Sequence, residues 1–325
     1  MKIFNFRKQD SDSHSASRGS FVANLLFLFG LLLGFLVPAA PQILIHFRYE
    51  RSFGLEEALD SQDRESVMRA YDSSVDFRNV SFNPPNLPTP FVGTAPRPGR
   101  DRNATINIQQ FRYPEDLEKT KPANEFRIFL TGGSTAYGAG ASSMEKTIAG
   151  FLEQLFLEWK TEKRVRVITA ANTGWSSTHE RNWIINHIMR FQPDVVLSLT
   201  GFNDVHYGAI GLEPVLVTSP HENYFRNIAL LVQKTIFFSD LPRTNVPENT
   251  PISCDTVISQ FIQNLRVAGF ALQQQKIPYF VFLQPSLFTS SKALSHRETN
   301  VRDRERDPYF SNCYSALETI LEHEQ

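Results

Sequence analysis

The chain has 325 residues, of which 41% are hydrophobic and 21% charged, and its formal net charge is -1. Such a composition belongs to a folded globular protein and not to a disordered one, and the length suffices for one large domain or two small ones. The balanced charge, with no basic stripe among the aromatics, gives no electrostatic reason to expect nucleic acid.

Residues 21–40 read FVANLLFLFGLLLGFLVPAA, with Asn24 the one strongly polar side chain. A helix of about 20 apolar residues matches the hydrocarbon core of a bilayer. Lys2, Arg7, Lys8 and Arg18 come before it, and the positive-inside bias then keeps residues 1–20 in the cytoplasm. The alternative is a signal peptide cleaved at the small-residue site ending at Ala39. The long N-terminal region and long apolar core favour an uncleaved, single-pass membrane anchor over residues 21–45. Either way, the rest is expected outside the cytoplasm. There a disulfide between Cys254 and Cys313 is permitted, and the sequence leaves open whether it forms. The two cysteines show no metal-ligand spacing, and no metal or other cofactor is expected. Asn-x-Ser/Thr triplets begin at Asn79 and Asn103; outside a eukaryotic secretory pathway they read as chance.

Residues 46–124 show weak apolar periodicity and scattered charge, and FNPPNLPTPFVGTAPRPGR is rich enough in proline to stay extended. This segment reads as a stalk, with room for a short helix near residues 55–70, that wraps or precedes a domain over residues 125–325. From Glu125 the pattern becomes regular. FRIFLT is a short buried strand, and apolar residues at helical spacing follow over 144–160. VRVITA is a second strand, 178–191 a second helix, and DVVLSLT a third strand. Residues 257–275 are helical, YFVFLQP is a further strand, and ALETILEHEQ closes the chain as a helix. Continuous apolar strands alternating with amphipathic helices predict a doubly wound α/β fold, with a parallel sheet covered on both faces.

In such sheets ligands bind outside the carboxyl ends of the strands. Three unusual turns lie at such ends: GGST after the first strand, NTGWSS after the second and GFND after the third. GGSTAYGAG lacks the Gly-Lys-Ser/Thr of a phosphate loop and the glycine spacing of a dinucleotide fingerprint. A serine on a tight strand-to-helix turn fits a nucleophile better, because its hydroxyl is exposed and its own N–H points where an oxyanion would form. Gly174 has no side chain to block a second N–H, and the Asn203 carboxamide offers a third, uncharged donor.

These residues resemble the SGNH (GDSL-like) hydrolases. The first block of that family is usually Gly-Asp-Ser, where this chain has Gly132-Gly133-Ser134. The second supplies an oxyanion glycine and matches Gly174 in TAANTGWSS. The third is Gly-x-Asn-Asp and matches residues 201–204 without a gap. The resemblance covers about residues 126–285. It implies a three-layer α/β/α, flavodoxin-like fold and a serine esterase or acyl hydrolase with Ser134 as nucleophile. Ser134, Gly174 and Asn203 would form the oxyanion hole, and the substrate would be an ester-bearing small molecule, glycan or lipid. Gly133 replaces the usual aspartate, and Thr169 stands where asparagine is common. The family's Asp-x-x-His block, source of the general base, occurs nowhere here, so the resemblance implies further residues after Gln325. His206 lies near the expected site mouth, His179 begins a helix, His296 sits in a charged segment and His323 is near the end; none is singled out as base. Competing readings are a catalytically silent relative that binds an acylated glycan or lipid, an O-acyltransferase using the same serine, and an α/β-hydrolase, whose nucleophile elbow Gly132-x-Ser134-x-Ala136 approaches.

Overall fold

The computed structural model describes residues 79–212, 250–294, 298–299, 302–303 and 307–323. The apolar run 21–40 and the helix near 55–70 lie outside them. Among the described residues no helix is long and apolar enough to cross a membrane.

The sheet is α/β and wholly parallel over four strands: β5 (Glu125–Gly132), β6 (Arg164–Thr169), β7 (Val195–Thr200) and β8 (Tyr279–Leu283), in the order β6-β5-β7-β8. The chain moves from β5 to β6 on one side and then crosses to β7 on the other, so β5 is the point at which strand order reverses. Side chains alternate across the pleat. Phe129, Ile168 and Val196 pack against α3 (Ser177–Asn186) and α5 (Cys254–Gln274). Ile128, Leu130 and Val167 pack against α1 (Ser134–Tyr137) and α2 (Ile148–Glu158). Helices therefore cover both faces, as the continuous apolar strands predict. A third cluster joins α4 (Phe202–Ala209) and α5 to α6 (Pro308–His323). On β8, Phe280 and Phe282 remain 53% exposed, each on the face away from Tyr279 and Leu283.

Local chemistry sets the helix ends. Thr147 caps α2 by accepting the Gly150 N–H, and Ser253 caps α5 by accepting that of Thr256. The helix expected over 178–191 is in two pieces, α3 and a 3-10 turn over Ile188–Phe191. The break falls at His187, whose ring is wedged among Phe111, Trp183 and Phe191 and whose Nε2 lies 2.8 Å from Gln109 O. A tertiary contact here overrides the helical pattern.

The expected stalk is corrected from residue 79 onward. Residues 79–124 are folded onto the sheet as two hairpins, β1 (Asn86–Thr89) with β2 (Gly93–Pro96), and β3 (Gly99–Asp101) with β4 (Ala104–Ile106). Val92, Ala95, Ile106, Phe111, Tyr113 and Leu117 are buried in the cores, and Arg112 bridges the end of β6 through its N–H to Thr169 O. Burial of these side chains outweighs the extended tendency of the prolines, of which Pro88 and Pro96 fall at strand positions and Pro90 in the turn between them.

Candidate active site

Register brings the three turns to one edge. Gly132 is level with Leu199, and Leu130 with Thr169, so β5, β6 and β7 end within a residue or two of each other. Gly132 has φ +146°, and a side chain there would collide with the Leu199 carbonyl and Ala136. The strand can thus turn sharply and start α1 two residues later, with Ser134 at its first position. Among the described residues the Ser134 hydroxyl has no hydrogen-bond partner, and neither do the N–H groups of Ser134 and Gly174. Ser134 and Gly174 are both part-exposed.

The predicted residues are drawn together through their neighbours. Asn203 Nδ2 donates to Trp175 O at 2.7 Å, and a Cβ on Gly133 would stand 2.5 Å from that same nitrogen and 3.3 Å from Trp175 O. The Asn203 amide is therefore seated between the serine's turn and the Gly174–Trp175 loop. A carboxamide nitrogen carries two protons; one is anchored on Trp175 and the other is free to meet a ligand. Gly174, in the left-handed region at φ +76°, gives its carbonyl to the Tyr207 hydroxyl at 2.5 Å. Tyr207 was not anticipated, although its place four residues after Asn203 puts it on the same helix face.

Below this edge lies a buried polar layer, also not anticipated. Asp204 accepts the Ser177 hydroxyl at 2.5 Å and the Ser177 N–H at 3.1 Å. Asn264 Nδ2 reaches Ser177 Oγ at 2.8 Å and Thr178 Oγ1 at 2.9 Å, while Arg181 Nη1 donates to Asn264 Oδ1 at 2.8 Å. Glu180 Oε2 lies 2.9 Å from Thr131 Oγ1, and Ser198 Oγ stands between Thr131 and the Tyr279 hydroxyl at 2.6 and 3.0 Å. Burial pushes the Glu180 carboxyl up to about 8 and that of Asp204 up to about 6. Glu180 Oε1 and Thr200 Oγ1 find no partner at ordinary hydrogen-bond geometry, yet the Thr200 hydroxyl is close enough to ease the carboxyl's burial.

The histidines fall elsewhere. His179 is buried inside a capping box: the Ser176 N–H donates to its Nδ1 at 3.1 Å, and its ring stacks on Trp175. Burial lowers its pKa to about 4. His206 lies on the exposed side of α4, where partial burial of its ring lowers its pKa and Asp307 opposes that shift. His296 and the side chain of His323 lie outside the described residues.

No protein-family model matches the chain, and no curated protein matches it. Solved structures similar to part of it include AlinE4, an SGNH-hydrolase family esterase, at 16% identity over 60% of this chain and 75% of that one, with a TM-score of 0.32. A GDSL-like lipase from Bacteroides thetaiotaomicron VPI-5482 is similar at 13% identity over 64% of this chain and 93% of that one, with a TM-score of 0.24.

Proposed function

We propose that the chain is a serine esterase or acyl hydrolase of the SGNH type. Ser134 Oγ attacks an ester carbonyl, the alcohol leaves, and water resolves the acyl-enzyme. The Ser134 and Gly174 N–H groups and the free Asn203 amide proton hold the oxyanion. The observation that carries this reading is the seat of Asn203, pinned by one proton on Trp175 and pressed against Gly133 beside the serine. Preorganised donors of this kind contribute on the order of 3 kcal/mol each to acyl transfer. Hydrolysis of p-nitrophenyl acetate tests the reading. Ser134→Ala should abolish turnover, and Asn203→Ala should lower kcat by roughly 100- to 1000-fold. Turnover that survives Ser134→Ala would overturn it.

A second reading, a silent relative that binds an acylated glycan or lipid, is favoured by one observation: among the described residues no histidine or carboxylate hydrogen-bonds the Ser134 hydroxyl. A serine without a base is a weak nucleophile at neutral pH. In that case the parent chain and Ser134→Ala would bind an acetylated glycan equally and neither would turn it over.

We further place the folded unit outside the cytoplasm, tethered by residues 21–45. Pairing of Cys254 with Cys313 supports an oxidising compartment, and the cationic residues before the apolar run support the orientation. A reporter fused after residue 60 should be active only outside the cytoplasm.

A further inference from the structure

The side chains before β5 converge on the single turn of helix that begins at Ser134. Arg112, almost fully buried, donates from Nη1 to the carbonyls of Tyr137 at 3.0 Å and Gly138 at 2.8 Å. Its guanidinium carbon stands 4.9 Å from the centre of the Tyr137 ring, within range of a cation–π contact. The backbone of Arg112 is tied to the end of β6 by its N–H to Thr169 O at 2.9 Å, so the guanidinium is carried by the sheet. Three further contacts, from Asn103 and Ser81, hold the same loop. Asn103 Nδ2 donates to Ala141 O at 2.7 Å, the Gly140 N–H donates to Ser81 O at 3.0 Å, and the Tyr137 hydroxyl lies 3.4 Å from Ser81 Oγ, which donates to Asp101 at 2.6 Å.

We propose that Arg112 is a positioning residue for Ser134: by holding the far end of a four-residue helix, it fixes where the serine's hydroxyl and N–H point. One turn of helix closes few hydrogen bonds of its own and is marginal when unsupported. An error of about 1 Å at a reacting atom costs on the order of 100-fold in rate, so the support matters even though Arg112 touches no substrate. The inference rests on the reading of Ser134 as nucleophile.

The test compares the parent chain with Arg112→Met, Arg112→Lys and Asn103→Ala, by p-nitrophenyl acetate turnover and by amide exchange. Arg112→Met should lower the Ser134-dependent kcat at least about tenfold with KM within about twofold. Arg112→Lys should recover part of that loss, since one ammonium can still meet two carbonyls. Asn103→Ala, which keeps the buried charge and releases the same loop elsewhere, should lower kcat several-fold while remaining folded. In both Arg112→Met and Asn103→Ala, amide exchange over 137–141 should quicken more than in β7. Values of kcat within twofold of the parent in both variants would overturn the proposal, as would a loss matched by a rise in KM. If the parent itself shows no Ser134-dependent turnover, the functional reading fails separately; exchange over 137–141 then decides, and unchanged exchange overturns the role of Arg112.

Discussion

At Gly133 the space, and not the backbone angle, demands glycine. Its φ of -83° is open to any residue, but a Cβ would press on the pinned Asn203 nitrogen. That nitrogen ends a side chain able to swing, so Gly133→Ala should cost little stability, within about 1.5 kcal/mol. In the proposed mechanism, swinging the amide removes an oxyanion donor, and kcat should fall by roughly 10- to 100-fold. Thermal melts and turnover measured on one preparation would separate the two effects. Glu180 gives a second residue-scale prediction. The folded chain keeps its carboxyl protonated up to about pH 8, whereas the unfolded chain releases that proton near 4.5. Its contribution to stability is complete below the lower value and drains away as the pH rises through the higher one. His179, lowered to about 4, acts oppositely, adding stability as the pH climbs from 4 to its ordinary value of 6.5. Asp204, raised to about 6, loses its contribution mostly below pH 7, so the window from 7 to about 8.5 is dominated by Glu180. Across it the parent's Tm should fall, while that of Glu180→Gln, a neutral stand-in for the protonated acid, should stay nearly level. Parallel Tm profiles would contradict this.

Among the elements, α5 and α6 depend on a covalent link. Cys254, the first residue of α5, is bonded to Cys313 in α6, with 5.4 Å between their Cα atoms and a sequence separation of 59. Closing a loop of that size removes roughly 4 kcal/mol of unfolded-chain entropy in the chain-entropy model. Cys254→Ser, or full reduction, should lower the unfolding free energy by about 2–4 kcal/mol in urea titrations. Ser134-dependent turnover at low urea should be unchanged, because the bond joins α5 to α6 and reaches the serine's turn through no direct contact. At this scale the helical pattern gave 178–191 as one helix, and only the ring of His187, held against Phe111 and Gln109, breaks it. Helix α4 was not legible either: GFND reads as a turn, yet Phe202–Ala209 is helical because Val205 and Tyr207 find buried places against α5, α6 and the Gly174 loop.

For the whole molecule, two kinds of information separate. The parallel sheet was readable from sequence because its central strands are covered on both faces, and double-sided burial requires an unbroken apolar run such as FRIFLT or VVLSLT, whereas β8 leaves Phe280 and Phe282 exposed on one face. The placing of Ser134, Gly174 and Asn203 at strand ends was readable for the same reason: a turn rich in glycine and polar residues is local chemistry that follows the strand directly. The hairpins over 86–106 were not readable. Their strands are three or four residues long, too short for a period to show, and the groups that secure them lie far along the chain. Trp175 Nε1 donates to Thr94 O at 3.0 Å across 81 residues, and Asn172 Nδ2 reaches Asn86 Oδ1 at 3.0 Å across 86. The burial of Glu180 and Asp204 was not readable either, since both are ordinary polar residues until Thr131, Ser177 and Ser198 close around them. The sequence by itself determined which side chains must leave water and where the chain must turn. Only the tertiary structure decided which distant polar groups would satisfy one another, because a hydrogen bond between remote residues leaves no periodic trace in the chain.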